Sequence, residues 1–225
     1  MKSVMDNINK WTVGGITSFY ETLVGNTYFI ISNLLGMVVL FLFKPTMNNL
    51  LLFIVPIFLL MQGILMQFHI LPNIEKYSVK RFFKEYPLVL KKSWRVLAIA
   101  TGIILMVIVD MNILMHSKTS RIFMVAVLIT SMFLINSLLY IFLIESSEKS
   151  IDVSIRRKFM TGLLLSYRLP MITLKNIIFI SIAIFAIQFM AIFYIVFIGG
   201  ILNLLIWKNL NKRFSLDLYF EQVAA

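Results

Sequence analysis

Five long apolar runs, separated by short polar or proline-marked steps, dominate the pattern along this chain. A helix that crosses a bilayer needs about 20 mostly apolar residues. The runs at 25–43, 50–70, 96–115 and 122–144 meet that length. The first stops at Lys44-Pro45, and the second lies between Asn48-Asn49 and Pro72. The last run, Ile177 to Trp207, is 31 residues long. As one helix it would span about 46 Å, against a hydrocarbon core of about 30 Å. Two readings compete: one overlong helix, or two short helices at 171–188 and 190–207 with a tight turn near Gln188. The pattern predicts an all-α, polytopic helical transmembrane bundle, a single integral membrane domain over 1–225. Segments 73–95 and 145–170 are its polar intervals.

Composition agrees. The chain is 60% hydrophobic and 14% charged, with a mean hydropathy of +0.92, which excludes a soluble domain and a disordered chain. The absence of cysteine excludes disulfides, thiolate metal sites, a cysteine nucleophile and palmitoylation. Residues 1–20 lack the apolar core and small-residue site of a cleavable signal, so the first span is expected to be retained.

The net charge is +11, from 21 Lys+Arg against 10 Asp+Glu. Lys and Arg collect on the cytoplasmic side of membrane proteins. Six spans with both termini cytoplasmic put 18 of the 21 cations inside, leaving Lys44, Lys118 and Arg121 outside. Five spans move Lys208, Lys212 and Arg213 outside and give 15 against 6. The charge therefore favours six spans in the cell membrane, N-in and C-in.

Two of the inner segments resemble each other. Ser78-Val79-Lys80-Arg81-Phe82-Phe83 matches Ser154-Ile155-Arg156-Arg157-Lys158-Phe159 as Ser, β-branched, cation, Arg, variable, Phe. This suggests a weak internal duplication of a loop-helix-span unit. Val79, Phe82, Phe83, Tyr86 and Leu90 share one helical face, as do Ile155, Phe159, Leu163 and Tyr167. Apolar and aromatic residues on one face with cations on the others describe an interfacial helix, with Pro87 expected to interrupt the first. The candidate interface comprises Lys80, Arg81, Phe82, Phe83, Tyr86, Lys91 and Lys92, then Arg156, Arg157, Lys158, Phe159 and Arg168. Its partner is either the anionic lipid of the inner leaflet or a cytoplasmic protein. Nucleic acid is not expected, because the cations lie within a turn or two of the bilayer and no recognition motif accompanies them.

Inside the spans, Asp110 is the one ionisable candidate. It lies near the outer end of its span, where contact with water or pairing with Arg121 or Lys118 would satisfy it. Gln62 and Asn136 are the midplane residues that a solute pocket would use. They, with Asn33, Gln67, Gln188 and Asn203, are otherwise read as interhelical hydrogen-bonding residues. Ser32-x-x-x-Gly36 and Ala98-x-x-x-Gly102 have the small-residue spacing of close helix crossings, and Gly199-Gly200 marks a packing point. His69 and His116 stand near span ends, expected on opposite sides. No metal-ligand spacing, phosphate-binding loop, dinucleotide fingerprint or nucleophile elbow occurs. An enzyme is not expected, and neither is a cofactor.

Three stretches resemble the YesL-like family of small integral membrane proteins. One is Tyr28-Phe29-Ile30-Ile31-Ser32-Asn33-Leu34 with Phe43-Lys44-Pro45-Thr46. Another is Phe82-Phe83-Lys84-Glu85-Tyr86 with Lys91-Lys92-Ser93-Trp94, leading into the span with Asp110. The third is Tyr140-Ile141-Phe142 with Leu164-Leu165-Ser166-Tyr167-Arg168-Leu169-Pro170. The chain departs from the family pattern in a longer stretch between Pro45 and Phe82, and in Leu143 where a proline is usual. The family has no established biochemical activity. Its members are typically encoded beside carbohydrate ABC importers in Gram-positive bacteria. The resemblance therefore implies an accessory membrane protein of sugar uptake, docking through its basic-aromatic segments. The alternative is a solute-binding or transport module, like the substrate subunit of an energy-coupling importer.

Overall fold

The computed structural model describes residues 19–116 and 121–224, which are helical with short links and contain no strand. The sequence features assigned to residues 1–18 and to Lys118 lie outside the described residues.

Helix α1 (Phe19–Ser32) meets α2 (Leu34–Leu42) at an angle of 62°. The first apolar run, expected as one span over 25–43, is therefore bent. The cause lies at its two polar residues. Ser32 Oγ donates to the Tyr28 carbonyl at 2.9 Å, and Asn33 Nδ2 donates to the Phe29 carbonyl at 2.8 Å. Side chains that bond back onto the preceding turn bend a helix.

A 3-10 helix, Met47–Phe53, leads into α3 (Ile54–Ile70), and a second, Leu71–Lys76, follows it. Helix α4 (Val79–His116) is 38 residues long and runs through Pro87. The expected interruption does not occur. The Phe83 carbonyl that Pro87 leaves unbonded belongs to an exposed residue, where water can satisfy it. The first basic segment is thus the extension of the third span's helix, not a separate amphipathic helix. Helix α5 (Arg121–Ser146) is followed by a 3-10 helix, Glu148–Asp152, and then by α6 (Ile155–Arg168).

Helix α7 (Pro170–Phe193), a π-helical turn (Tyr194–Ile198) and α8 (Gly199–Leu210) follow without a gap. The chain nevertheless reverses there. Met190 leaves helical geometry at φ −148° and ψ 66°. Asn209 Nδ2 donates to the Ile172 carbonyl at 3.0 Å and to Asn176 Oδ1 at 2.7 Å. A straight helix would hold Asn176 and Asn209 about 50 Å apart. The single overlong helix is thereby excluded. Each arm of the hairpin is about 20 residues, or about 30 Å, long. Helix α9 (Leu216–Ala224) closes the described chain.

Four helical stretches are long and apolar enough to cross a membrane: Met47–Glu75, Val79–His116, Ile122–Ser146 and Pro170–Leu210. A fifth is the bent α1–α2 pair, if it counts as one.

The packed core is off-centre. Nearly every residue of α3 from 61 to 70 and of α5 from 136 to 146 is buried, while most residues of α4 and α5 between 104 and 130 are not. Met106 and Phe123 are exposed there, as are Phe185 and Phe189 on α7, the arrangement expected where the surrounding medium is lipid. Contacts between Lys208 and Glu21, His69 and Glu85, and Lys92 and the Glu145 carbonyl gather the buried halves and the basic segments at one end. The sequence repeat is also visible in structure. Helix, 3-10 helix and helix recur in α3–α4 and α5–α6. In each, the repeated serine caps the second helix: Ser78 Oγ accepts from Arg81 N at 3.2 Å, and Ser154 Oγ from Arg157 N at 3.3 Å.

Candidate functional site

Helix α6 lies antiparallel along α5, and the face it buries is not the apolar one. Lys158, Gly162 and Ser166 are buried at i, i+4 and i+8. They face Glu145, Ile141 and Ser137 on α5. Gly162 permits the approach, since a Cβ there would lie 2.8 Å from the Ser137 carbonyl oxygen. Leu163, Leu164 and Tyr167 are exposed. Of the apolar stripe expected of an interfacial helix, Leu163 and Tyr167 are exposed and Ile155 and Phe159 half-buried.

The Glu145–Lys158 pair organises this end. Lys158 Nζ reaches Glu145 Oε2 at 2.6 Å, with side chains only 6% and 2% exposed. Ser93 Oγ of α4 donates to Glu145 Oε1 at 2.9 Å, so both carboxylate oxygens are engaged. Lys92 Nζ donates to the carbonyls of Glu145 and Ser147 at 2.8 and 2.7 Å. Those two carbonyls lie at the C-terminal end of α5, where Ser150 also donates to them, through Oγ to Glu145 at 3.2 Å and through N to Ser147 at 3.2 Å.

Between α4 and α6 opens a cleft of about 710 Å³. Lys91, Lys92 and Arg95 of α4 line it together with Lys158 and Ser154 of the second segment. The two segments thus meet around one volume, with four cations and a single carboxylate.

A second cluster fixes the start of α4. Tyr77 Oη donates to Glu85 Oε2 at 2.6 Å, and Arg81 Nε donates to Glu85 Oε1 at 2.7 Å. His69 Nε2 lies 3.3 Å from Glu85 Oε2, and its Nδ1 lies 2.7 Å from the Ser146 carbonyl. Both ring nitrogens face oxygen atoms of neighbouring elements. Burial pushes the Glu85 carboxyl up, but the hydrogen bonds from Tyr77 and Arg81 and the Arg81 charge outweigh it and hold the group below its usual range. Burial and the Glu85 contact push the Tyr77 phenol well up.

Of the expected interface residues, Lys80, Arg81, Phe83, Lys91, Arg156, Arg157 and Arg168 are exposed, and Tyr86, Lys92 and Phe159 are half-buried. Two are corrected. Phe82 is 1% exposed and stacks on Tyr28 at 4.8 Å, while Lys158 is sealed against Glu145.

The intramembrane candidates do not converge. Asn136 is tied into a buried network. It donates to Ser166 Oγ at 2.9 Å and Thr173 Oγ1 at 3.2 Å, and accepts from Asn176 Nδ2 at 2.8 Å. Gln62 is fully buried, and neither amide atom has a partner among the described residues. Asp110 is half-exposed. A cavity of about 480 Å³ in the half away from the basic end is lined by Ile108, Asn112 and Met115 of α4 but by none of these three candidates. Helical spacing turns Asp110 to the other side of α4. Ala98 and Gly102 also face outward, with nothing within 4 Å of a Cβ at Gly102.

Sequence reasoning passed over Glu145, which pairs with Lys158 across 13 residues. A carboxylate ending an apolar run just before a basic segment was the available signal. It also passed over Asn26, whose Oδ1 accepts from Gly200 N at 3.1 Å and whose Nδ2 donates to the Val196 carbonyl. Asn26 thereby satisfies backbone groups that the π-helical turn leaves free.

No group of three His, Cys, Asp or Glu side chains suited to a metal occurs among the described residues. No family model, curated protein or solved structure matches the chain.

Proposed function

We propose that this chain is a non-enzymatic accessory protein of the cell membrane that docks onto a carbohydrate ABC importer, or onto its partners, through the basic end. In this reading the membrane is crossed six times: by the bent α1–α2 pair, α3, the apolar half of α4, α5, and the two arms of the α7–α8 hairpin. Both termini are cytoplasmic, as the distribution of Lys and Arg favours.

The observation that carries the docking reading is the character of the basic end. Phe83, Leu88, Trp94 and Tyr167 are all more than half exposed, and Lys80, Lys84, Lys91, Arg156 and Arg157 stand exposed among them. Aromatic anchors with cations, held on rigid helices, are what protein interfaces use. Beneath them lies the most fully buried part of the molecule, so little ordering cost remains to be met on binding. The choice of a carbohydrate importer rests on the resemblance to the YesL-like family.

The test is affinity purification of the tagged full chain from its native membrane, with a Phe83→Ala/Trp94→Ala variant beside it. The reading expects importer subunits with the native chain and their loss with the variant. Normal sugar uptake after clean deletion, together with no importer subunit in the eluate, would sink it.

The cavity of about 480 Å³ supports a second reading, a solute-binding module. Its lining is mainly apolar, including Leu40, Phe53 and Ile57, with Asn33, Asn112 and Gln188 among the polar groups. This favours a largely apolar solute over a sugar. Uptake of labelled solute by vesicles containing this chain alone would establish that reading in place of docking.

A further inference from the structure

We propose that the cleft between α4 and α6 is a binding site for a phosphate group. This goes beyond docking to an importer and does not depend on it.

The first argument is uncompensated charge. Glu145 is the cleft's one carboxylate, and its two oxygens are taken by Lys158 and Ser93. Lys91, Lys92 and Arg95 therefore face the same volume with no carboxylate at ion-pair distance among the described residues. Three surplus cations at one cleft repel each other unless an anion joins them.

The second argument is donor geometry. Lys92 Nζ spends two N–H bonds on the carbonyls of Glu145 and Ser147, which fix its position and leave its third N–H free. Arg95 adds a planar fork of donors and Lys91 a mobile ammonium. The first turn of α6 lines the same cleft at Ser154 and Ile155. A helix N-terminus adds partial positive charge and unpaired backbone N–H groups. A tetrahedral oxyanion accepts from several directions and suits this set better than a planar carboxylate.

The third argument is the rim. Leu88, Trp94 and Ile151 line the cleft and are exposed. They provide an apolar surface beside the cations, where a hydrocarbon carrying the phosphate can lie. In the six-crossing arrangement, Trp94 stands at the level of the lipid headgroups, a favoured depth for tryptophan. The phosphate of an anionic phospholipid headgroup and free phosphate share the recognised chemistry, and the experiment separates them.

The full chain, purified in an uncharged detergent, is titrated with phosphatidylglycerol, with phosphatidylcholine of the same acyl chains, and with inorganic phosphate. Binding is read by native mass spectrometry and by the shift in melting temperature. Phosphatidylglycerol is expected to bind and to raise the melting temperature, and phosphatidylcholine is not. Lys91→Gln/Arg95→Gln should weaken binding about ten-fold or more. Lys212→Gln/Arg213→Gln removes the same charge from exposed positions outside the cleft and should leave binding unchanged. Both variants alter exposed side chains, and an unchanged melting temperature without lipid verifies their fold. Binding of inorganic phosphate with the same dependence on Lys91 and Arg95 identifies free phosphate as the source and upholds the site. If neither anion binds, or if both double variants lose binding equally, the cleft is not a phosphate site.

Discussion

At the scale of single residues, the basic end depends on one buried carboxylate. Glu145 touches Lys158 and Ser93 through its side chain, while its backbone carbonyl receives Lys92 and Ser150. Removing the carboxylate leaves Lys158 buried without a counter-charge, a loss of about 3–5 kcal/mol. Replacing both partners with apolar groups of similar volume removes that penalty. Glu145→Leu should therefore sharply lower the melting temperature in detergent, and Glu145→Leu/Lys158→Met should recover most of the loss. A double variant no better than the single one would show that the pair is not the stabilising unit. Glycines give a second contrast. A Cβ at Gly200 would lie 2.4 Å from Asn26 Oδ1 and 2.6 Å from its Cα, whereas a Cβ at Gly102 meets nothing within 4 Å. Gly200→Ala must displace backbone and should destabilise by about 1–3 kcal/mol. Gly102→Ala should be neutral or gain up to about 1 kcal/mol from helix propensity. Thermal melts of the two variants check both signs.

At the scale of elements, the apolar runs were legible because length and hydropathy report helices directly. Which face of a helix is buried was not. On α6 the apolar stripe reads as the face of an interfacial helix and leaves open which of the other faces packs on α5. Lys158, Gly162 and Ser166 become a contact face only once Glu145 and the Ser137 carbonyl are opposite them, and that is tertiary information. Helix α4 shows the converse. Pro87 reads as a breaker in sequence, yet a helix continued on both sides by packed residues passes through it. The α7–α8 hairpin was legible as an excess of length, but its reversal depends on Met190 and on Asn209 meeting Asn176. The cysteine-free chain offers a direct test. Cysteines placed at 176 and 209 should be joined by a short bifunctional thiol reagent in native membranes, and cysteines at 176 and 190 should not. Absence of the 176–209 cross-link would restore the single long helix.

At the scale of the whole molecule, the polar chemistry is concentrated at one end. The buried halves of α3 and α5, the Glu145 and Glu85 clusters and the cleft between α4 and α6 share that end, and the opposite half presents apolar side chains outward. The charge count anticipated this asymmetry, since it depends only on which loops carry Lys and Arg. It could not distinguish a lipid-facing surface from a cleft, because Lys91 and Arg95 come together with Lys158 only through the α5–α6 packing. Charge sets orientation through the excess of Lys and Arg in the loops retained on the cytoplasmic side. Single cysteines at Lys84 and Arg156 should therefore react with a membrane-impermeant maleimide only after the membrane is opened, and a cysteine at Lys44 should react in intact cells. All three positions are exposed, so silence in intact cells reports the side of the membrane and not burial. Labelling of position 84 or 156 in intact cells would invert the molecule. The cleft would then face the outside, where no cytoplasmic subunit could reach it, and docking to an importer from within would fail while phosphate binding in detergent would still stand.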